Sequence, residues 1–320
     1  MRLVFAGTPG FAAPTLAALA TGRHPVELVL TQPDRPAGRG RTPTPPPVKA
    51  LALRLGLRVI QPESINALEA VEVLRAVAPD ALIVMAYGLR LRARVLRVPR
   101  LGCLNVHASL LPRYRGAAPI NWAIIRGERE TGVTLQRMAS EIDCGAILAQ
   151  RATAIGEEET AGELYERLSA LAAEMIGPAL DELEGGRLIA RPQDDALATD
   201  APKLEKRDGL VDWSASPIRT RNFIRGMTPW PGAFTWHRRP SEAARRLILL
   251  AACPIEGAAD APPGTVLRAS EELHVAAGGG RLRVLRLQSE GARPMDAADW
   301  LRGHAVAAGD RFGPGPGEDT

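Results

Sequence analysis

Hydrophobic and polar positions follow two regimes along this chain. Through the first half, short apolar runs alternate with stretches of helical spacing. Leu3-Val4-Phe5-Ala6 is a buried-strand run that stops at Gly7-Thr8-Pro9-Gly10, a turn. Phe11 to Leu19 carries apolar residues at helical spacing, and Val26 to Leu30 predicts a second strand. Pro46 to Leu55 predicts a helix with proline in its first turn. Val59-Ile60 reads as a short strand, and Ala67 to Ala76 as a helix with Leu68, Val71, Val73 and Leu74 apolar. Ala81 to Ala86 is a fully apolar strand run, and Cys103 to Val106 is another. This alternation predicts an α/β fold, a parallel sheet with helices on both faces. Ligands in such folds bind beyond the carboxyl ends of the strands, so residues just after strands are the first candidates for chemistry.

Ala161 to Leu183 predicts a long helix, stopped by Gly185-Gly186. The polar stretch from Arg191 to Lys206 reads as a linker. Beyond it the regime changes to short strands between Gly/Pro turns, at Leu247–Leu250, Thr265–Leu267, Leu273–Val275 and Leu282–Leu287. In the last of these, apolar residues and Arg nearly alternate, the pattern of a half-buried strand, and the set predicts a small β-barrel. The Gly/Pro-rich end, Gly313 to Thr320, predicts disorder. The expected organisation is a first domain over 1–190, a linker over 191–206, a barrel over 207–312 and a tail over 313–320. There is no internal repeat.

A length of 320 residues agrees with about two domains. Hydrophobic residues at 46% and charged residues at 24% argue against disorder of the whole chain. The 3 cysteines exclude a disulfide scaffold and point to a reducing compartment. No apolar run reaches the roughly 18 residues of a spanning helix, and the run from Met1 to Gly7 is too short for a signal peptide. A cytoplasmic location is therefore expected. The net charge of +4 permits contact with a polyanion without requiring it. Almost all of the positive charge is Arg, the only lysines being Lys49, Lys203 and Lys206. From Glu205 onward basic residues number 16 against 14 acidic ones, so position has to decide where a polyanion would bind.

The strand Cys103-Leu104-Asn105-Val106-His107 alternates, and Asn105 and His107, two apart, share one face at its carboxyl end. The loop residues Ser109-Leu110-Leu111-Pro112 and Arg115-Gly116-Ala117-Ala118-Pro119 follow. Gly132 to Gln136 predicts a strand leading to Ile142-Asp143-Cys144-Gly145, where a tight turn would present the Asp143 carboxylate. A His can move a proton near neutral pH, an Asp can orient its ring, and an Asn amide can donate to an oxyanion. No Ser or Cys nucleophile is needed if the substrate brings an amine. Taken singly, His107 reads as well as a structural histidine and Asp143 as a turn residue. Cys144 reads as a small turn residue. No HxxxH or CxxC spacing points to a metal, and Gly7 to Gly10 lacks the G-x-G-x-x-G of a dinucleotide turn.

These segments, in order, resemble the 10-formyltetrahydrofolate-dependent formyltransferases. The likeness is carried by Phe5-Ala6-Gly7-Thr8-Pro9, Thr31 to Gly40, Ala86-Tyr87-Gly88, Leu101 to His107, Ser109 to Pro112, Arg115 to Pro119 and Glu130 to Thr134. It continues through Gln193 to Thr199, Lys203-Leu204, Asp212-Trp213 and Pro229 to Ala233, and so spans nearly the whole chain. The resemblance implies a Rossmann-like first domain that is catalytic and an oligonucleotide-binding-type (OB-type) β-barrel that binds tRNA. It implies formyl transfer from N10 of 10-formyltetrahydrofolate to the α-amino group of methionine on initiator tRNA, a reaction that requires no metal; a monomer is expected. By carry-over, Asn105, His107 and Asp143 form the catalytic trio, and Ser109, Leu110, Leu111 and Pro112 line the folate site.

The loop Pro33 to Pro47 holds Arg35, Arg39 and Arg41 among Gly and Pro, too long and polar for a simple connection. Read alone, it is a solvated loop or a nucleic-acid contact. The resemblance implies that it reaches the tRNA acceptor end, with Arg39 foremost. Arg219, Arg221, Arg225, Arg238, Arg239, Arg245 and Arg246 are further candidates for phosphate contacts. The chain departs from the family pattern at Glu141-Ile142 before Asp143, at Cys144 after it, in its proline-rich run from Pro43 to Pro47, and at Asp200. An amino-sugar-nucleotide formyltransferase would share the Asn, His and Ser-Leu-Leu-Pro features but not the arginine loop. A glycinamide ribonucleotide formyltransferase would not need a second domain. A non-catalytic tRNA binder would not need all three of Asn105, His107 and Asp143.

Overall fold

A computed structural model of the chain describes residues 1–37, 42–239 and 243–315. Its contacts divide the chain into two units. The first comprises Met1–Pro119, Glu130–Ala154 and Tyr165–Pro202, and the second Ile120–Arg129, Ile155–Leu164 and Lys203–Thr320.

The first unit is built on β1 (Leu3–Gly7), α1 (Ala13–Ala20), β2 (Val26–Leu30), β3 (Arg35–Ala37), β4 (Thr42–Thr44) and α2 (Pro47–Arg54). It continues with β5 (Val59–Ile60), α3 (Leu68–Val77), β6 (Ala81–Met85), α4 (Ala93–Leu96), β7 (Cys103–His107) and β8 (Arg115–Gly116). After α5 (Pro119–Ile125), which belongs to the second unit from Ile120 on, come β9 (Glu130–Arg137), β10 (Ile147–Ala154), α6 (Ala161–Glu184), of the first unit from Tyr165 on, and β11 (Asp200–Ala201). One sheet runs in the order β10-β9-β7-β6-β1-β2-β5. The strands β1 and β6 are buried at every position, which explains their unbroken apolar runs. On α3, Ala70, Val71, Leu74 and Val77 are buried, the one-sided spacing of an amphipathic helix. The chain winds outward from β1 through β2 to β5 and returns through β6 to β7, so the strand order reverses between β1 and β6. Ligands bind beyond the carboxyl ends at such a reversal.

The expectation of a parallel sheet holds for β5-β2-β1-β6-β7 and fails at the far edge. There β9 runs antiparallel to β7, and β10 antiparallel to β9. A buried strand has the same side-chain period in either direction, so the apolar pattern carries no sign of its polarity. The described parts of the proline-rich arginine segment form two short strands rather than a plain loop. Arg35 faces Thr44 and Ala37 faces Thr42 across an antiparallel pair. Proline usually argues against strands, but this pair is an isolated two-stranded ribbon in which every position is an edge. The stretch 191–202, expected as a linker, belongs to the first unit. Arg191 pairs with Ile147, and β11 pairs in parallel with β8.

The second unit holds α7 (Pro217–Met227), β12 (Ala233–Arg238), β13 (Arg245–Ile255), β14 (Val266–Ala269), β15 (Leu273–Ala277), β16 (Gly280–Ser289), β17 (Met295–Asp296), α8 (Ala297–Gly303) and β18 (Arg311–Gly313). Its sheet runs β14-β15-β16-β13-β12-β18, with β17 against β16. The ends approach one another: Val266 donates to the Asp310 carbonyl at 2.8 Å and Phe312 to the Gly264 carbonyl at 2.7 Å. The result is a nearly closed antiparallel barrel around Leu247, Leu249, Leu273, Val275, Leu282, Val284 and Leu287. Gly313, assigned to the tail from its neighbours in sequence, instead ends β18 against Trp236. Of the expected tail, residues 316–320 lie outside the described residues.

Trp122, Trp213, Trp230, Trp236 and Trp300, all the tryptophans of the chain, fall in the second unit. Their fluorescence therefore reports its unfolding. Leu249 is fully buried, and Leu249→Ala is expected to cost about 3 kcal/mol through the cavity it leaves. The check is a lower urea midpoint in tryptophan fluorescence.

Candidate active site

Asn105 and His107 lie on one face of β7, as their two-residue spacing requires. Register on the next strand sets Gln136 opposite Asn105 and Thr134 opposite His107. The turn after β9 then brings Asp143 back over this pair. Asp143 has φ of 54°, in the left-handed region. Among residues other than glycine, Asp and Asn enter that region most readily, and such residues gather at functional sites.

Three donors converge on the Asp143 carboxylate. Asn105 Nδ2 donates to Oδ1 at 3.2 Å, Gln136 Nε2 to Oδ1 at 2.9 Å, and the Gly116 backbone N–H to Oδ2 at 3.0 Å. The carbonyl of Asp143 is held as well, by Gln193 Nε2 at 2.7 Å. The same Nε2 reaches the Gly145 carbonyl at 2.8 Å, and Gly145 N–H donates to Gln136 Oε1 at 3.1 Å. Two positions here require glycine. A Cβ at Gly145 would lie 1.7 Å from the Arg137 carbonyl oxygen, and one at Gly116, where φ is +123°, would lie 2.6 Å from that of Ala201.

The His107 ring is 7% exposed and sits between a carbonyl and a carboxylate. Its Nε2 is 2.8 Å from the Tyr114 carbonyl oxygen, and its Nδ1 is 3.6 Å from Asp143 Oδ2. A carbonyl oxygen only accepts, so Nε2 donates and the neutral ring keeps its lone pair on Nδ1. A proton taken up there would be stabilised by the facing carboxylate. Asn105 spends one of its two amide N–H groups on Asp143 and has a second to offer. The arrangement therefore combines a proton acceptor, a carboxylate to stabilise the charged ring, and an oxyanion donor.

The loop Ser109 to Pro112 divides by burial. Ser109 and Leu111 are buried and act in the scaffold: Ser109 Oγ donates to the Arg113 carbonyl at 2.6 Å, and Leu111 N–H donates to Thr134 Oγ1 at 3.1 Å. Leu110 and Pro112 are half-buried. A separate cleft of about 390 Å³ opens beyond the carboxyl end of β6, lined by Asn66, Arg90, Leu91, Arg92, Ala93 and Ser140, the last three residues ahead of Asp143. Cys144, beside Asp143, donates Sγ–H to the Ile142 carbonyl at 3.1 Å, and burial pushes its thiol up from the usual range. That supports its reading as a turn residue.

Arg35 is exposed in β3. Arg39 and Arg41 lie outside the described residues. The foot of their segment is anchored, because Asp34 accepts from Lys49 Nζ at 2.8 and 2.7 Å and from Gln61 Nε2 at 2.7 Å. Those donors, Lys49 first, hold the Asp34 carboxyl below the usual carboxylate range.

Several of the other candidate arginines already have intramolecular partners. Arg225 is buried and donates to the Gly156 and Glu159 carbonyls, both at 3.0 Å. Arg221 pairs with Glu157 and Glu158, Arg239 with Asp310, and Arg246 lies over the Phe234 ring at 4.0 Å. Arg219 is exposed.

Gln136, Gln193, the Tyr114 carbonyl and the Gly116 N–H were not expected in the site. Gln136 ends the run read as a strand, and only its register with β7 reveals the partner. Gln193 stood in a segment read as a linker. It also accepts from Arg115, at 3.1 Å to Nε and 2.8 Å to the terminal nitrogen, and Arg115 pairs with Asp195 at 2.7 Å.

With the geometry in place, comparison with known proteins gives consistent results. A family model described as formyl transferase matches residues 1–180, and one described as formyl transferase, C-terminal domain, matches 203–305. A methionyl-tRNA formyltransferase of Geotalea uraniireducens is 46% identical over 314 residues, covering 98% of both chains. One of Methylococcus capsulatus is 47% identical over 313 residues, covering 98% of this chain and 100% of the relative. Among solved structures, an N-formyltransferase from Helicobacter canadensis in complex with folinic acid and dTDP-3-aminofucose superposes with a TM-score of 0.65 at 14% identity, covering 90% of this chain and 99% of that one. HypX from Aquifex aeolicus in complex with tetrahydrofolic acid does so with a TM-score of 0.58 at 20% identity, covering 94% of this chain and 47% of that one. At such identities the two structures speak for the fold alone.

Gln193→Ala removes the donor shared by the Asp143 and Gly145 carbonyls. Amide hydrogen exchange over residues 141–145 is expected to speed up by roughly tenfold or more, the effect of losing one to two net hydrogen bonds. Exchange-resolved mass spectrometry of that peptide checks it; unchanged exchange would reduce Gln193 to packing.

Proposed function

The chain belongs to the formyl transferase family, and we propose that Asn105, His107 and Asp143 carry its chemistry. The reaction is transfer of the formyl group of 10-formyltetrahydrofolate to the α-amino group of methionyl-tRNA. It is supported by near-full-length identity of 46% and 47% to relatives named for that activity. That the initiator tRNA is the acceptor is part of the same reading.

The neutral amine attacks the formyl carbon, its lone pair forms the new N–C bond, and the carbonyl π electrons move to oxygen. The free amide N–H of Asn105 donates to that oxyanion, worth about 3 kcal/mol in the barrier. His107 Nδ1 accepts the proton shed by the amine, directly or through water, and the Asp143 carboxylate stabilises the imidazolium. Collapse re-forms the carbonyl, breaks the bond to N10 and leaves its electrons on that nitrogen, which takes up the proton from His107. The observation that carries this reading is the His107 ring held between the Tyr114 carbonyl and the Asp143 carboxylate.

The cleft beside Ser140 and the half-buried Leu110 and Pro112 are assigned to the folate cosubstrate, with Ser109 and Leu111 holding their loop. Both surfaces lie at the carboxyl ends of parallel strands, as a ligand in this fold requires. Arg35, Arg39 and Arg41 are assigned to the acceptor end of the tRNA, and the barrel to the tRNA body. A monomer as the active unit is part of the same reading. No helix of the described residues is long and apolar enough to cross a membrane. A cytoplasmic location follows from the substrate.

The direct test is formyl transfer to initiator methionyl-tRNA beside elongator methionyl-tRNA and an amino sugar nucleotide. Transfer to the initiator alone supports the whole reading; transfer only to the sugar keeps the trio and overturns the acceptor. His107→Ala is expected to lower kcat by about 10² or more with an unchanged melting temperature. Near-normal turnover would remove His107 from the reaction. Arg39→Ala is expected to raise KM for tRNA and leave folate affinity as it was, and steady-state kinetics with each substrate varied separates the two.

A further inference from the structure

Both neighbours of the His107 ring depend on one tripeptide, Tyr114 to Gly116. The Tyr114 carbonyl oxygen lies 2.8 Å from His107 Nε2. The Gly116 N–H donates at 3.0 Å to Asp143 Oδ2, the oxygen that faces His107 Nδ1. Tyr114 itself has φ of 62°, in the left-handed region, and is 4% exposed. A bulky aromatic residue holds such a φ only where its surroundings over-determine it.

One distant residue takes both N–H groups around it. Thr199 Oγ1 accepts from the Tyr114 N–H at 2.9 Å, and the Thr199 carbonyl accepts from the Arg115 N–H at 2.8 Å. These N–H groups belong to the two peptide planes that meet at the Tyr114 Cα. On the first plane, the Arg113 carbonyl is held from the other side by Ser109 Oγ at 2.6 Å. On the second plane, the carbonyl is the one that faces His107. In a planar trans peptide the C=O and N–H point in opposite directions, so the bond to Thr199 aims the Tyr114 carbonyl at the ring. Thr199 leads into β11, whose pairing with β8 sets Asp200 against Arg115 and Ala201 against Gly116.

We propose that Thr199 is a positioning residue for the reaction. By holding both peptide planes of Tyr114, it keeps the proton of the neutral His107 ring on Nε2 and the lone pair on Nδ1. This rests on the reading of His107 as the proton acceptor. Two neighbours compete for the ring proton. The Tyr114 carbonyl favours Nε2–H, because a carbonyl oxygen cannot donate. The Asp143 carboxylate would favour Nδ1–H, but Oδ2 is 3.6 Å from Nδ1, beyond hydrogen-bonding distance. The carbonyl wins only while it stays aimed at Nε2. If it swings away, the proton moves to Nδ1 to face the carboxylate, and Nδ1 has no lone pair left for the amine's proton.

The Thr199 hydroxyl is the part of this hold that substitution can remove. Thr199→Val keeps the side-chain shape and the main-chain acceptor but leaves the Tyr114 N–H without Oγ1. The tautomer is read by NMR of ¹⁵N-histidine-labelled protein at a pH where the ring is neutral. A His107→Asn spectrum assigns the signal among the five histidines. The wild-type ring is expected to carry its proton on Nε2. In Thr199→Val the ring is expected to shift toward Nδ1–H. Its kcat should fall about tenfold, with KM for tRNA and for folate within about twofold of wild type. Thr199→Ser returns the hydroxyl and is expected to restore both tautomer and kcat.

A wild-type ring protonated on Nδ1 overturns the proposal without reference to any variant. So does a Thr199→Val chain whose tautomer is unchanged, whatever its kcat, or a Thr199→Ser chain that restores neither readout. A raised KM for tRNA with kcat intact would make Thr199 a substrate contact and also overturn it. Near-normal turnover of His107→Ala would refute the reading of the site itself, while the spectra still report whether Thr199 holds the ring.

Discussion

The convergence of donors on the Asp143 carboxylate is the constraint on which the rest of the site depends. Asn105 arrives from β7, Gln136 from β9 and the Gly116 N–H from β8. A half-satisfied buried carboxylate would be costly, so each donor is as much a condition of folding as of chemistry. Because the turn itself is in the left-handed region, these bonds, with Gln193 on the main chain, keep it there. Once Asp143 is placed, His107 has a fixed neighbour on its Nδ1 side and a fixed carbonyl on its Nε2 side.

The sheet makes this constraint affordable. Strands β1 and β6 are buried throughout, and β7 is nearly so, which leaves little freedom for β7 to slide. A slip of one residue would turn Asn105 and His107 to the opposite face. The antiparallel return of β9 is equally necessary, because it sets Gln136 across from Asn105 and Thr134 across from His107. Thr134 then accepts from Leu111 N–H and donates to the Ser109 carbonyl at 2.6 Å, so the loop beside the site is registered to the same ladder.

Charge is distributed by work rather than by number. Arg225 and Arg246 are occupied within the second unit, by loop carbonyls and by an aromatic face, and so are poor candidates for phosphate contacts. On the first unit, Arg75, Arg94 and Arg97 line one groove beside the end of α3.

The alternation of apolar strands and amphipathic helices, the barrel that follows, and the pairing of Asn105 with His107 were all legible in the amino-acid sequence. They are local properties: side-chain period, turn residues and spacing along one strand. The ordered motifs from Phe5 to Ala233 also carried the family. What the chain alone did not reveal was set by contacts between distant segments. The polarity of β9 and β10 leaves no trace in their apolar pattern. Gln193 lies 50 residues beyond Asp143, in a polar stretch with the composition of a linker, and becomes a strap only because β11 pairs with β8. Gly313 looked like tail until β12 took it as a partner. A hydrogen bond between remote residues depends on where the folded backbone carries each of them, and one-dimensional spacing does not contain that distance.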